Sequence, residues 1–563
     1  MRKILKSRTF AFCFMICASF ITFFLMTIWV MKYLNFLDYK MAAEASGILA
    51  LLMGSMQIRK KREYKDIEDG SSIWGKYKDI KPFIDKNFFN NMILSASIFL
   101  SMNMYKTHRN CHVFVVGGSG AGKSRYYVKP NVMQMNASYV VTDPSGEHLR
   151  DEGTMLTDHG YKVKVFDVLH PERSMHFNPF VYFKGIKDIR RFINIFMANT
   201  SGDTSNSQYN EDFWVKAERL WLMATIAYLQ ETCPEHERSM NSVVLLLNNS
   251  EARDDDESYK CAVDVLFDDL EAKNRESFAV KQYKKYKLAA GKTAKSILIS
   301  IGVRLADFDI PEISHLVADD ELELDKMGNE KTALFIIVDD ADTTYNYLVA
   351  LLLDVLFNTL KNVADDQPEH HLSIPVRCLL DEIANIGRFP TLHILVAVLR
   401  KRWISLEFLF QNVNQAKAIY KDNWATIEGN CDTTVFLGGK GEDTTKYVSN
   451  DLLGKTTIDT VSYGSSGSAK SLGANGYSSN QQKAGRNLLD ETEVSRLADD
   501  DCIVSIRGLN PFRCKKYDLK KHPNYRYLAD SDPANTFTYI RGINLKGKDI
   551  QYITLNLEEE MSA

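Results

Sequence analysis

The chain has 563 residues, 45% of them hydrophobic and 25% charged, with a formal net charge of -3. That length supports two or three packed domains plus appendages, mostly soluble and folded. Near-neutrality argues against a surface that grips nucleic acid all over, though not against cations lining one groove or pore. Nine cysteines without a C-x-x-C pair argue against a disulfide framework and a structural zinc.

From Thr9 to Met31 the chain carries no charge (TFAFCFMICASFITFFLMTIWVM), and a helix needs ~20 apolar residues to cross a bilayer. A second apolar stretch, 41–58, is shorter and carries Glu44 near its start. Arg2, Lys3, Lys6 and Arg8 precede the first run, and RKKR (59–62) follows the second. Basic flanks mark the cytoplasmic side, so the two runs are expected to form a transmembrane hairpin with both ends inside. A cleaved signal peptide is the weaker reading. Its apolar core is usually shorter, and cleavage would export a nucleotide motif to where nucleotide is scarce.

CHVFVV (111–116) is a short apolar, β-branched run that predicts a buried strand. Gly117, Gly118, Ser119, Gly120, Ala121, Gly122, Lys123 and Ser124 follow at once and satisfy G-x-x-x-x-G-K-[ST]. In such a loop backbone N–H groups turn inward around phosphates, Lys123 supplies a cation near the β/γ position, and Ser124 offers a hydroxyl to Mg²⁺. The helix start that follows adds its positive dipole end. RCLLDEIANIG (377–387) predicts a second buried strand ending in Asp381 and Glu382. There an aspartate can hold the Mg²⁺ shell and a glutamate can orient and deprotonate the attacking water. WISLEFLFQNVNQ (403–415) is a third such run, whose end presents Gln411 as a candidate γ-phosphate sensor. Arg400, Arg402 and Arg486 are candidates for a cation donated across a subunit interface.

Strand-like runs recur at 112–116, 138–142, 163–167, 333–338, 376–380, 404–410, 434–437 and 502–506. Helical stretches separate most of them, which predicts an α/β domain with a mostly parallel sheet covered on both faces. Between about 185 and 324 helical periodicity takes over, and an inserted all-helical domain is expected there. The expected division is an anchor over 1–62, a linker and domain edge over 63–104, the nucleotide domain over 105–184 and 325–530, the helical domain over 185–324, and a tail over 531–563. Within the helical part, 277–296 interleaves Lys281, Lys284, Lys285, Lys287, Lys292 and Lys295 with Tyr283 and Tyr286. That pattern suits either nucleic-acid stacking or a solvated helix face. The Gly/Ser/Asn-rich stretch 462–485 is expected to be mobile, either a channel loop or a slack connection.

With these pieces placed, the chain resembles the TraG-type coupling proteins of type IV secretion and conjugation, in the form found on Gram-positive mobile elements. The resemblance rests on RNCHVFVVGGSGAGKSRYYVKPN (109–131), VTDPSGEHLRDEGTML (141–156), NPFVY (178–182), EKTALFIIVDDADTTYNYL (330–348), LLDEIANIGRFP (379–390), FQNVNQ (410–415) and CIVSIRGLNPF (502–512). It implies a RecA-like P-loop ATPase domain with an inserted all-helical domain and an N-terminal transmembrane hairpin, assembled as a membrane-anchored homo-hexamer. It further implies ATP and Mg²⁺ as cofactors. The implied partners are the transferred DNA strand, a relaxase complex and the secretion-channel proteins. Lys123 and Ser124 would serve phosphate and Mg²⁺, Asp381 the metal, Glu382 hydrolysis, and Gln411 sensing. Where the family commonly has Asp-Pro-Lys-Gly-Glu this chain has Ser145, which removes a cation; Ser145 receives no role and Asp143 only a provisional one. The alternatives are a secretion-assembly or protein-export ATPase, and a membrane receptor that uses nucleotide only to assemble.

Overall fold

The computed structural model describes residues 8–33, 40, 44, 46–48, 67–200, 213–253, 259–289, 291–339, 342–466, 476–540 and 543–546. The chain divides into two compact units, one built from 1–71 and 456–486, the other from 72–455 and 487–563.

The first unit contains helix α1, Arg8–Tyr33, whose 26 residues carry charge only at Arg8 and Lys32. At ~1.5 Å per residue it is about 39 Å long, more than the ~30 Å hydrocarbon core of a bilayer. Leu25, Met26, Trp29 and Tyr33 all stand more than 60% exposed, an apolar surface that water does not favour. Thr27 satisfies its hydroxyl on the Phe23 carbonyl (2.8 Å) and meets the Ser46 hydroxyl at 3.2 Å. Most of the second apolar stretch, 41–58, lies outside the described residues.

The described ends of the Gly/Ser/Asn-rich stretch depart from expectation, and 467–475 lie outside the described residues. Lys455–Ser466 and Gly476–Asn487 are strands paired with each other in a two-stranded sheet. Backbone hydrogen bonds hold such a ribbon, so small polar side chains do not forbid it. Thr457 anchors its start by accepting from the Asp69 N–H (3.1 Å) and donating to the Gly70 carbonyl (2.9 Å).

The second unit is built on a nine-stranded sheet. Its strands are β1 (Val113–Val116), β2 (Ser138–Pro144), β3 (Lys162–Asp167), β4 (Thr332–Val338), β5 (Val376–Leu380), β6 (Ile404–Phe410), β7 (Thr433–Phe436), β8 (Asp501–Ile506) and β9 (Phe512–Lys515). Their spatial order is β9-β8-β7-β1-β6-β5-β2-β4-β3. From β7 to β3 every pairing is parallel, while β8 and β9 join antiparallel. Eight strands coincide with apolar runs. The ninth, FRCK, buries only Phe512 and lacks the pattern that announces a strand.

Alternation divides the interior into two cores. Phe114, Val116, Leu334, Ile336, Leu406 and Phe408 face one side. Val113, Val115, Ala333, Phe335, Leu379 and Leu409 face the other. On the second face Gly153 of helix α2 (Glu147–Asp158) admits the ring of Phe537, which a Cβ there would approach to 2.5 Å. Phe537 begins a short antiparallel pair, Phe537–Ile540 with Ile543–Lys546, so this part of the expected tail is folded.

Among the described residues no strand falls between Asp167 and Thr332; helices include α3 (Ile186–Asn199), α4 (Phe213–Thr232), α5 (Met240–Asn248), α6 (Ala262–Lys273), α7 (Phe278–Tyr286), α8 (Gly291–Leu305) and α9 (Pro311–Leu316). Phe192, Phe196, Trp221, Phe267 and Ile297 share one continuous core with the first sheet face. Helix α10, Asn346–Asp366, is long and apolar enough to span a membrane, yet it is mostly buried in this same core. The basic–aromatic stretch proves structural in its aromatics. Tyr283 stacks on Phe267 at 3.8 Å, its hydroxyl donates to Asp264 (2.9 Å), and Tyr286 is buried. Neither ring is open to a base. Lys281 and Lys284 pair with Glu276 and Glu271, and Lys287 pairs with Asp264.

Candidate nucleotide site

The strand order explains the site. β6 lies directly between β1 and β5, so the segments leaving these three parallel strands emerge side by side at their C-terminal ends. That edge is where ligands bind in open α/β sheets.

The loop after β1 is fastened at its base. Gly117 N–H donates to the Phe410 carbonyl (3.0 Å), and Gly118 N–H donates to that of Gly438 (2.9 Å). Gly120 and Gly122 take φ of +75° and +81°, the left-handed region that favours glycine. A Cβ at Gly122 would also stand 2.5 Å from the Tyr126 ring. The Ala121 carbonyl accepts from Lys516 Nζ (2.9 Å), a buried lysine whose pKa its burial lowers. Lys123 is 8% exposed, its Nζ 3.5 Å from the Gly117 carbonyl. The helix then opens with a wide π-turn, Ser124–Val128, in which Lys129 N–H reaches back to the Ser124 carbonyl. Pro130 has no N–H with which to continue an ordinary α-ladder.

Asp381 follows β5 and is 2% exposed. Its Oδ2 accepts from Ser124 Oγ at 3.2 Å, its Oδ1 from the Glu382 N–H at 3.0 Å, and its carbonyl from Thr142 Oγ1 at 2.7 Å. Burial raises its pKa, with Lys123 and His148 pulling the other way. Glu382 sits at φ +51°, a conformation that costs a non-glycine residue energy and turns its side chain toward Gln411. Gln411 Nε2 donates to Glu382 Oε1 at 2.8 Å.

These groups border one cavity of about 460 Å³, with Lys123, Ser124, Asp381, Glu382 and Gln411 converging on it. Of the loop, Gly118, Ser119, Gly120 and Gly122 line it as well; Gly117 and Ala121 belong to the loop's frame. A hydroxyl and a buried carboxylate 3.2 Å apart form a hard-oxygen pair that fits Mg²⁺. Among the described residues no cluster of three or more His, Cys, Asp or Glu gathers for a metal. Mg²⁺ does not require one, because it usually keeps several waters and takes oxygens from the bound phosphates.

The segment DPSGE closes the far side. Asp143 caps α2, accepting from the His148 N–H (2.9 Å) and the Leu149 N–H (2.7 Å). Ser145, at φ +62°, lines the cavity. Of the candidate arginines, Arg402 is held by Asp365 at 2.6 Å and is buried. Arg400 lines a different cavity with Cys111, His112, Ile404 and Ser405, the N-terminal ends of β1 and β6. Arg486 belongs to the other unit.

Sequence reasoning missed a buried network beneath the loop. Arg377 and Glu407, both wholly buried on β5 and β6, pair at 2.7 Å. Tyr127 Oη donates to Glu407 (2.8 Å), and Arg377 donates to Asn131 Oδ1 (2.9 Å). Charged residues interrupting two apolar runs, at 377 and 407, were the available signal.

A family model for type IV secretory system conjugative DNA transfer matches residues 67–526. A probable conjugal transfer protein TraG of Sinorhizobium fredii (strain NBRC 101917 / NGR234) is 21% identical over 417 residues, 72% of this chain and 61% of that protein. The chain thus spans under two thirds of that relative's length. Among solved structures, the bacterial conjugative coupling protein TrwBdeltaN70 matches with TM-score 0.59 at 17% identity, covering 82% of this chain and 95% of that one. The plasmid coupling protein TrwB matches at 17% identity in two further forms. With the ATP analogue ADPNP the TM-score is 0.57, covering 81% and 95%; with ADP and Mg²⁺ it is 0.56, covering 80% and 94%. The fold is therefore that of the TrwB coupling protein, and with the match to most of its length the chain belongs to the type IV secretory system conjugative DNA transfer family.

Proposed function

We propose that this chain is a membrane-anchored ATPase that couples Mg²⁺-ATP hydrolysis to the passage of DNA into a type IV secretion channel. One observation carries the reading: Lys123, Ser124, Asp381, Glu382 and Gln411 converge on one cavity in a chain of the DNA-transfer family. The anchor is α1, with the second apolar stretch completing a hairpin and the nucleotide unit in the cytoplasm. DNA, a relaxase complex and further copies of the chain, six in a ring, are the partners. The nucleotide domain comprises 105–184 and 325–530, with 185–324 as its helical insertion.

In this reading Ser124 and Asp381 would hold Mg²⁺, which would supply positive charge to offset that of the phosphates. The loop N–H groups and Lys123 cradle the phosphates and withdraw charge from the transferring group. Glu382 takes the proton of the attacking water. Gln411, hydrogen-bonded to that carboxylate, fixes its direction and is placed to respond when the terminal phosphate leaves.

The test is ATP turnover by the detergent-solubilised chain, with and without single- or double-stranded DNA, over a range of salt. DNA-stimulated turnover that weakens steeply with salt supports the proposal. Turnover indifferent to DNA moves the load to a protein. Replacing Glu382 by Gln should preserve ATP binding and lower kcat by at least a hundredfold. A Glu382→Gln chain with undiminished turnover would remove the hydrolytic assignment.

A further inference from the structure

His148 lines the nucleotide cavity from the β2 side, whereas Lys123 enters from the β1 side; Asp381, just after β5, lies between. The imidazole is 1% exposed, and its Nδ1 stands 3.6 Å from Oε1 of the wholly buried Glu152, one turn along α2. Neither ring nitrogen and neither Glu152 oxygen has a hydrogen-bond partner among the described residues. Nδ1 and Oε1 face each other as an ion pair, but Nε2 of the His148 ring, which borders the cavity, is left without a partner, which is costly in a native interior and asks for an occupant. Its charge state suits an anion. Burial alone would depress the His148 pKa, but Glu152, Asp143 and Asp381 outweigh it and lift the group to about 9. Burial pushes Glu152 up, with His148 and Lys129 opposing.

We propose that His148 contacts the nucleotide: with Nδ1 turned to Glu152, its Nε2 donates to an oxygen of the terminal phosphate. Glu152 is then a positioning residue that fixes the ring and its charge, and the cavity grips a triphosphate from two strands on either side of the metal carboxylate. This inference rests on the ATPase reading above and adds to it a determinant of ATP over ADP.

The full chain in detergent, with His148→Gln and Glu152→Gln variants, tests it by competition binding of ATP and of ADP and by kcat and KM. His148→Gln should weaken ATP binding at least tenfold and ADP binding less than threefold, at a melting temperature close to wild type. Glu152→Gln, acting through the ring, should shift the same ratio by a smaller factor. An unchanged ATP-to-ADP preference in both variants overturns the proposal, as does an equal loss for both nucleotides accompanied by a fall in melting temperature. Should His148→Gln fail to fold, the Glu152→Gln ratio alone decides. Wild-type chain that binds no nucleotide overturns the ATPase reading and this one together; wild-type binding with an unaltered preference in the variants overturns this one alone.

Discussion

Gly122 shows how much a single position of the loop must satisfy. Its φ of +81° costs an L-residue roughly 1–2 kcal/mol, and any Cβ would meet the Tyr126 ring at 2.5 Å. Gly122→Ala is therefore expected to lower ATP affinity at least tenfold while leaving the fold intact. Nucleotide titration beside a circular dichroism melt checks both halves. At this scale the loop itself was legible, because each of its residues has a chemical reason to be where it is. What was not legible was the hydrogen bond from Gln411 to Glu382. It depends on β6 being the neighbour of β5, a fact of sheet order that neither local stretch contains. Lys516 and His148 were hidden likewise, each lying in a segment whose role follows only from what it folds against.

The elements beneath the loop are joined by charge rather than by apolar contact alone. Arg377 on β5 and Glu407 on β6 are both fully buried, and breaking such a pair from one side typically costs ~3–5 kcal/mol. Arg377→Met should thus destabilise the unit strongly. Adding Glu407→Met should recover much of the loss, leaving mainly the Tyr127 hydroxyl unpartnered. Denaturation midpoints of the two singles and the double measure that coupling. His112, just before β1, ties that strand's start to β6: its Nδ1 accepts the Leu406 N–H at 2.9 Å, and burial lowers its pKa to about 4. His522, also buried, is lowered to about 4 for the same reason. A folded-state pKa below the ordinary 6.5 means the unfolded chain takes up the proton first. Stability from these groups is therefore complete above that value and is lost as pH falls toward 4, at about 1.4 kcal/mol per unit for each histidine. Melting temperature followed from pH 7.5 to 4.5 should fall less steeply in His112→Gln than in wild type. The eight apolar strands were legible by composition. β9 and the Lys455–Ser466/Gly476–Asn487 ribbon were not, because backbone pairing rather than apolar content defines them.

At the scale of the whole chain, α1 makes a prediction of its own. A 26-residue apolar helix that holds Leu25, Met26, Trp29 and Tyr33 outward suits lipid, so the chain expressed in bacteria should stay with the membrane through alkaline carbonate washing. Release into the wash would remove the anchor from the proposed function. The helical character of 185–324 was legible from periodicity; its continuity with the core of the sheet was not, because periodicity gives a helix an apolar face without saying what that face meets. The tyrosines of 277–296 mislead for that reason: they read as a stacking platform until Phe267 of α6 is seen to cover Tyr283.

β6 is stitched to a parallel neighbour along both flanks, and every one of its seven residues is buried. Sliding it by a single residue would turn its whole inward set the wrong way round. The three strands whose ends carry Lys123, Asp381 and Gln411 must therefore travel as one stiff plank. In the proposed motor, the stroke would then be expressed at the plank's margins, in its loops and in how neighbouring copies tilt, and not by flexing at its centre.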